Sequence, residues 1–380
     1  MPDSRLRLKS SPHRKYIEFG GLCLLAVALL WLFGRKLDWA EVRQSVSHAD
    51  WRLLLIATAV ICVAYLFRAY RWGALLAPLG PARIRDLFIA TTVGFGAVFL
   101  IGRAGEVVRP VVLPMRDQRV RPSASFVTIM IERIYDMMAV VLLFAINLIW
   151  FKPPATLEAP VIMRVRIAGV VLLLAGIMGV IGLIWFRRKS NSVVLWLRVR
   201  LERWRFVPQR LTKLILSTLE QLARALRVLV DARELAVTIG WTALVWAGII
   251  VANFLVIRAF GIPFGLSETV FVLGWSLVGS LVPTPGGAAG AFHAATAAGL
   301  IFLGVPRETA AAISILMHLI DFGPAVLFGF FYFVKGDINI TRLRSFASQE
   351  AVEHAVEDEE VTPTTEPLTE QQLKEATVTD

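Results

Sequence analysis

The sequence predicts an all-α polytopic membrane protein with about six full transmembrane helices and two opposed re-entrant hairpins arranged as an inverted repeat. The 380-residue chain is 56% hydrophobic and has a mean hydropathy of +0.65, which is more apolar than a soluble core can enclose. Several apolar runs approach the ~20 residues that cross a bilayer. Two shorter runs are broken by glycine and proline, as re-entrant segments are.

The N-terminal segment, residues 1–16, is basic and is followed by an apolar run at 17–33. No small-residue cleavage site follows this run, so we expect an uncleaved signal anchor with a cytoplasmic N-terminus. A second apolar run, 53–66, leads into four arginines, which predict that its end is also cytoplasmic. These arginines are Arg68, Arg71, Arg83 and Arg85.

The first broken segment spans residues 86–115 and has basic residues on both sides. Its apolar part is only about 15 residues long, which is short for a full crossing. Gly102, Gly105 and Pro110 interrupt it. We therefore predict a hairpin that enters from the cytoplasm and returns there.

The remaining spans are predicted at 123–150, 161–186, 235–260 and 309–334. A second broken segment, 271–303, precedes the last span and contains Pro283, Pro285, Gly286 and Gly287. Because the topology brings this hairpin in from the outer side, the two halves have opposed orientation. That arrangement is typical of inverted-repeat transporters.

Two polar regions complete the predicted domain organisation of a transmembrane domain at 17–335. Residues 187–233 hold twelve Lys or Arg against three acids and predict a basic amphipathic segment on the cytoplasmic membrane surface. Residues 336–380 are acidic and poor in apolar residues, which predicts a disordered cytoplasmic tail. The basic excess sets topology and attracts anionic lipid; it does not form a nucleic-acid-binding module.

Six charged residues lie inside or against the two apolar segments on either side of a short basic loop, within about 35 positions, and a charge in lipid costs roughly 2.5–3.5 kcal/mol. They are Arg103, Glu106, Arg109, Glu132, Arg133 and Asp136. We predict a shielded substrate site in which the arginines bind phosphate and the acids orient or neutralise them. Alternatively, the first three form an ion-paired hinge at a cytoplasmic helix end, with snorkelling side chains.

The second half offers His293, His318 and Asp321 as further substrate-site candidates. Asp321 lies three residues from His318, and a pair formed by the two is predicted to take up a proton near neutral pH. The alternative is that each histidine simply bonds to a neighbouring helix. No metal-ligand spacing or cofactor motif accompanies these residues.

These motifs resemble the transmembrane domain of the lysylphosphatidylglycerol synthetases, a flippase-like membrane family. The resemblance covers roughly residues 20–335 and rests on three motifs: R-x-G-E-x-x-R (Arg103 to Arg109), E-R-x-x-D (Glu132 to Asp136) and P-x-P-G-G (Pro283 to Gly287). The chain departs from the family pattern at Ile101, Ala97 and Val98, and it has His293 and His318 where the family has a glutamate and an arginine. The resemblance implies the lipid-translocating half without the soluble synthetase domain.

Three functions remain open at this point. The first is a lipid flippase for an anionic phospholipid or polyprenyl-phosphate lipid in the cell (inner or plasma) membrane, with both termini cytoplasmic and no cofactor. No P-loop is present, so ATP does not drive it directly. The second is an intramembrane enzyme on lipid-linked substrates that uses Glu132, Asp136 and His318. The third is a regulatory subunit of a lipid synthetase or glycosyltransferase.

Overall fold

A computed structural model describes residues 12–77, 79–151 and 232–335, together with scattered positions between 163 and 189. Every regular element within these ranges is helical, which confirms the all-α class. The helices, numbered in chain order, are α1 (Pro12–Gly34), α2 (Trp39–Ser47), α3 (Trp51–Leu76), α4 (Ile84–Ile101), α5 (Val108–Arg116), α6 (Pro122–Trp150), α7 (Ala232–Ala259), α8 (Leu266–Gly279), α9 (Pro285–Ala288), α10 (Ala291–Phe302) and α11 (Arg307–Val334).

Four of these helices are long and apolar enough to cross a membrane: α3, α4, most of α7, and α11. The bent pair α1 and α2, with an angle of 83° between its helices, would make a fifth span. The described part of the chain thus has the helices of a multi-pass membrane protein. It contains four or five candidate spans, whereas the sequence predicted six full spans and two hairpins.

Helices α4 and α5 form an antiparallel hairpin around a 3-10 turn, Gly102–Val107. At its open end, Arg116 Nε donates to Asp86 Oδ1 over 2.9 Å. Further along, Gly94 lies against Arg109. Near the tip, the backbone of Gly105 touches that of α4 so closely that a Cβ would overlap it. The two arms are therefore in contact along their whole length.

Helices α8 and α10 form a second antiparallel hairpin. Thr296 and Ser276 are joined by a hydroxyl hydrogen bond of 2.8 Å, and Gly299 lies against Trp275. The short α9 forms the tip, where Gly286 and Gly287 have φ of 78° and 62°. L-residues rarely adopt this conformation, so two successive glycines make the sharp tip possible.

The tips of the two hairpins meet. A Cβ on Gly102 would lie 3.1 Å from the backbone oxygen of Thr284. Gly102 also has a φ of 66°, so two independent constraints favour glycine at this position. The backbones of the two tips are therefore in direct contact at this point.

The packing of the described helices divides into two corresponding halves. Helices α3, α4, α5 and α6 correspond in order to α7, α8, α10 and α11. Helix α4 packs on α11 while α8 packs on α6, and α3 and α7 pack against each other. Residue positions follow the same exchange, because Asp321 on α11 comes 185 residues after Asp136 on α6. We call α3–α6 the first repeat and α7–α11 the second repeat, because their packing partners correspond in this way.

Some sequence predictions were wrong in detail. The second span does not end near residue 66, because α3 continues to Leu76 with Arg71 completely buried. Pro110 does not break the first hairpin but lies in the first turn of α5, where proline is tolerated.

The amphipathic segment predicted within 187–233 falls almost entirely outside the described residues, as does the tail at 336–380. Of the span predicted at 161–186, scattered helical positions are described, with Gly169 lying against Leu148 of α6.

We expect Gly105→Ala to destabilise the protein by about 1–3 kcal/mol, because its methyl group would overlap the backbone of α4. Gly323→Ala in α11 is the matched control, since a Cβ there meets nothing within 4 Å. Thermal unfolding of the purified protein in detergent measures both. Equal melting temperatures for the two variants would contradict the close packing of the first hairpin.

The turn between α5 and α6 carries an ion pair outside the apolar segments. The Asp117 carboxylate accepts hydrogen bonds from the side chain of Arg119 at 2.7 and 2.8 Å. These bonds, a backbone bond and the arginine charge outweigh burial and lower the pKa of Asp117 to about 2. Because the pKa of Asp117 is lower in the folded protein than its ordinary value of about 3.9, the ionised carboxylate stabilises the fold at pH values above about 3.9. This stabilisation is lost as the pH falls through the folded-state pKa of about 2.

Asp117→Asn should therefore lower the melting temperature at neutral pH. The difference from the unsubstituted protein should shrink as the pH falls from about 4 towards about 2. Melting temperatures measured across that range check this. A difference that stays constant down to the acid end would show that the ion pair does not act through the charge of Asp117.

Candidate functional site

A buried carboxylate on α6, Glu132, binds two arginines from two other helices. Arg109 of α5 donates to its two oxygens over 2.5 and 2.9 Å, and Arg71 of α3 lies 3.0 Å from Oε1. The Arg71 and Glu132 side chains are fully buried and Arg109 nearly so. In a low-dielectric interior such pairing is what makes the charges tolerable.

Asp136, one helical turn after Glu132, binds the other side of Arg71. The two carboxylate oxygens accept from Arg71 over 2.6 and 3.1 Å. Arg133, on the same helix, lies 3.4 Å from Glu132 and 4.0 Å from Asp136. We call Arg71, Arg109, Glu132, Arg133 and Asp136 the charged cluster.

Aromatic side chains support the cluster. The Arg109 guanidinium lies 4.2 Å from the centre of the Trp72 ring, at cation–π distance. Trp72 is fully buried, and its indole N–H donates to Thr128 over 3.0 Å. Phe95 of α4 lies within 6 Å of Arg109 and Arg133. These contacts fix the guanidinium planes, as bidentate anion binding requires.

A cavity of about 240 Å³ lies beside the cluster, between the hairpin tips. Gly102 and Glu106 line it from the first hairpin, and Thr284 and Gly287 from the second. Arg109 and Arg133 also line it, but they differ in exposure: 4% of the Arg109 side chain is exposed and 39% of that of Arg133. Arg133 is thus the cluster arginine that is most open to a ligand.

A second cavity of about 140 Å³ adjoins the first, because Phe95, Leu277, Ser280 and Phe322 line both. Arg68 of α3 and Asp321 of α11 face this second space. Asp321 accepts from Asn253 Nδ2 at 3.3 Å, and Tyr65 donates to the Asp321 backbone oxygen. The second cavity therefore brings a further arginine and a further carboxylate close to the space beside the charged cluster.

His293 and His318 are bonded to each other, with 3.1 Å between Nε2 of the first and Nδ1 of the second. His318 Nε2 also lies 3.0 Å from the backbone oxygen of Gly287. The sequence analysis placed Asp321 with His318, but the structure instead joins Asp321 to Asn253. The reason is geometric: His318 faces the tip of the second hairpin, whereas Asp321 faces α7.

The structure brings together Arg109, Glu132, Arg133 and Asp136, as the sequence analysis proposed, and places Glu106 exposed at the edge of the cavity. The backbone of Arg103 lies in the 3-10 turn, and its side chain is outside the described part.

Sequence reasoning assigned Arg68 and Arg71 to topology alone and missed their role. Their three-residue spacing on a helix that continues to Leu76 was the available signal, because it places both on one face.

Comparison with known proteins fits this architecture. Residues 20–329 match the family model described as the lysylphosphatidylglycerol synthase TM region. The chain belongs to this family. It is also 21% identical, over 322 residues, to a UPF0104 membrane protein of Pyrococcus horikoshii, covering 80% of this chain and 92% of that protein.

Membership of the lysylphosphatidylglycerol synthase transmembrane-region family confirms the resemblance drawn from the motifs. All three motifs lie within the matched residues, as does the charged cluster. The matched range thus includes the residues that line both cavities.

Arg71→Leu should destabilise the protein by about 3–5 kcal/mol, because it leaves two buried carboxylates short of a partner. Adding Asp136→Leu should recover part of this loss, since the second substitution removes one of the orphaned charges. Arg85→Leu, at an exposed position near the start of α4, is the control. Unfolding in detergent measures all three, and an Arg71→Leu protein as stable as the control would contradict the pairing.

Proposed function

We propose that this protein moves an anionic phospholipid or isoprenoid-linked phosphate lipid between membrane leaflets. The observation that carries the proposal is the partly exposed guanidinium of Arg133 on the wall of the cavity between the hairpin tips. Within the charged cluster three guanidiniums meet two carboxylates, and the half-exposed Arg133 lies where a ligand can reach it. A lipid phosphate is the anion that a membrane presents in abundance.

The geometry of the cluster suits a phosphate that comes and goes. Glu132 and Asp136 form ion pairs with Arg71 and Arg109. Two carboxylates therefore offset two guanidiniums, and the empty site holds little uncompensated charge. Arg133 is only loosely held, at 3.4 and 4.0 Å from the two carboxylates. It can therefore turn its forked donors towards phosphate oxygens without leaving a buried acid unpaired.

The hairpins supply the path in this proposal. A headgroup crosses hydrocarbon most easily through a polar groove, while its acyl or isoprenoid tails stay in lipid. We infer that the two hairpins are re-entrant from opposite sides, which would place their meeting tips and the cavity at mid-depth. Inverted-repeat transporters bind their substrates at this level.

Transport in this scheme is passive or ion-coupled and includes no chemical step on the lipid. We place the protein in the cell membrane with both termini cytoplasmic, because the basic segments flanking the first hairpin favour that orientation. A lipid synthetase or glycosyltransferase that produces or consumes the translocated lipid would be its natural partner.

Reconstituted vesicles test the proposal. Vesicles containing the full-length protein and a headgroup-labelled lipid are treated with a membrane-impermeant quencher, which reports lipid movement. We expect phosphatidylglycerol or a polyprenyl phosphate to move faster than in protein-free vesicles. Arg133→Gln should slow this about tenfold or more, since a charge-assisted bond contributes about 1.5–3 kcal/mol. Arg133→Lys should retain more activity than Arg133→Gln.

Arg85→Gln is the matched control because it removes an exposed arginine far along α4 from the tip. It should leave the rate unchanged. Equal rates for Arg133→Gln and Arg85→Gln would remove Arg133 from the site. No acceleration over protein-free vesicles for any phosphate-bearing lipid would overturn the proposed function.

A further inference from the structure

We propose that His293 and His318 form a proton-binding site that latches the tip of the second hairpin. The effect of this latch on lipid movement rests on the proposed function, whereas the latch itself does not. The proposal starts from the hydrogen bonds of the two rings, which begin and end on the backbone of one short loop, Gly287 to Gly290.

The direction of each bond follows from its partners. A carbonyl oxygen only accepts, so His318 Nε2 donates its hydrogen to Gly287. With both rings neutral, His318 Nδ1 must then accept from His293 Nε2. The remaining His293 Nδ1 accepts from the backbone N–H of Gly290, 3.4 Å away. All four ring nitrogens are thus used when neither ring is charged.

The surroundings of the pair also favour the neutral form. Phe33 of α1, Phe99 of α4, and Phe292 and Phe322 from α10 and α11 lie around the two rings. Among the described residues, no charged group forms an ion pair with either histidine. Titratable groups on the elements packed around the pair include Asp321 on α11, bonded to Asn253, and Arg68 and Tyr65 on α3, which face the adjoining cavity.

Adding a proton breaks this chain of bonds. A proton on His293 Nδ1 would face the N–H of Gly290, and one on His318 Nδ1 would face the N–H of His293. In either case two donors oppose each other, and a charge is left among aromatic rings. Protonation of His293 thus frees the Gly290 N–H, and protonation of His318 breaks the bond between the two rings, so the link from Gly290 through His293 to α11 is lost. The loop is then held to α11 only by the bond from His318 Nε2 to Gly287, and water can reach it.

The loop that the pair holds is also a wall of the candidate lipid site. Thr284, Gly287 and Ala288 line the larger cavity, and Thr284 touches Gly102 of the opposite tip. Releasing the latch would separate the two tips at the point where they meet. A proton taken up in the second repeat would thereby alter the cavity beside the charged cluster.

The corresponding place in the first repeat carries permanent charges. His293 follows Arg109 by 184 residues, and His318 follows Glu132 by 186, so each pair joins the second arm of a hairpin to the next helix. The Arg109 and Glu132 pair stays ionised at any ordinary pH, while a histidine pair changes with pH. One repeat is thus fixed and the other switchable.

Hydrogen exchange of the full-length protein in lipid nanodiscs tests the latch directly. The readout is the protection factor of the backbone amides of residue 284 and residues 286–290, since a protection factor corrects for the intrinsic pH dependence of exchange. We expect protection to fall by about tenfold or more between about pH 8 and about pH 4, the range that imidazole titration covers. The same fall should appear in the control variant His48→Gln, which removes an exposed histidine at the C-terminal end of α2.

The double variant His293→Gln/His318→Gln is the decisive comparison. Glutamine can donate through its amide nitrogen and accept through its oxygen, so it can keep the loop bonded without titrating. Its protection should stay constant over the same pH range. The double alanine variant should show low protection at every pH, with a melting temperature measured alongside to establish that it is folded.

A pH-dependent fall in the double glutamine variant equal to that of the unsubstituted protein would overturn the latch. So would constant protection in the unsubstituted protein. These outcomes require no lipid movement, and a failure of the flipping assay would leave them unaffected. If both proposals hold, the unsubstituted protein should move lipid at a rate that depends on pH, and the double glutamine variant should not.

Discussion

The ionic contact that the rest of the site depends on is the sharing of Glu132 between Arg71 and Arg109. A single buried carboxylate draws together α3, α5 and α6, three helices that come from different parts of the first repeat. Without it, either arginine would carry an uncompensated charge in an apolar interior, a cost that no packing contact offsets. The position of the first hairpin, and hence one wall of the cavity, follows from this contact.

In the second repeat, the residues about 184–186 positions after those of the charged cluster have different chemistry. Where the first repeat pairs Arg109 with Glu132, the second has the neutral rings of His293 and His318 hydrogen-bonded to each other. Where the first joins Arg71 to Asp136, the second joins Asn253 to Asp321. Neutral partners require no countercharge, so the second repeat can change its bonding at a lower electrostatic cost than the first.

Much of this architecture could be predicted from the sequence. Hydropathy and the glycine and proline breaks predicted the helical class and both hairpin segments, because lipid restricts the possible backbone structures so strongly. Motif spacing predicted the residues on α5 and α6 that meet. The cost of intramembrane charge identified them before any contact was known.

What could not be predicted were contacts between elements far apart in the chain. Arg71 looked like a topological marker because its two acidic partners come 61 and 65 residues later. The partner of His318 was misjudged for a similar reason: Asp321 is near in sequence, but it lies on a face of α11 that points towards α7. The sequence pattern shows on which face of a helix a residue lies. Which helix packs against that face depends on the tertiary packing of the two repeats.

The exchange of packing partners has a mechanical consequence. Each hairpin packs against the last helix of the opposite repeat, α4 against α11 and α8 against α6. Neither hairpin can tilt without shearing a surface that belongs to the other half. In the proposed transport cycle, such interlocking favours motions in which one entrance widens as the other narrows, and it opposes a continuous water-filled pore through which ions would leak.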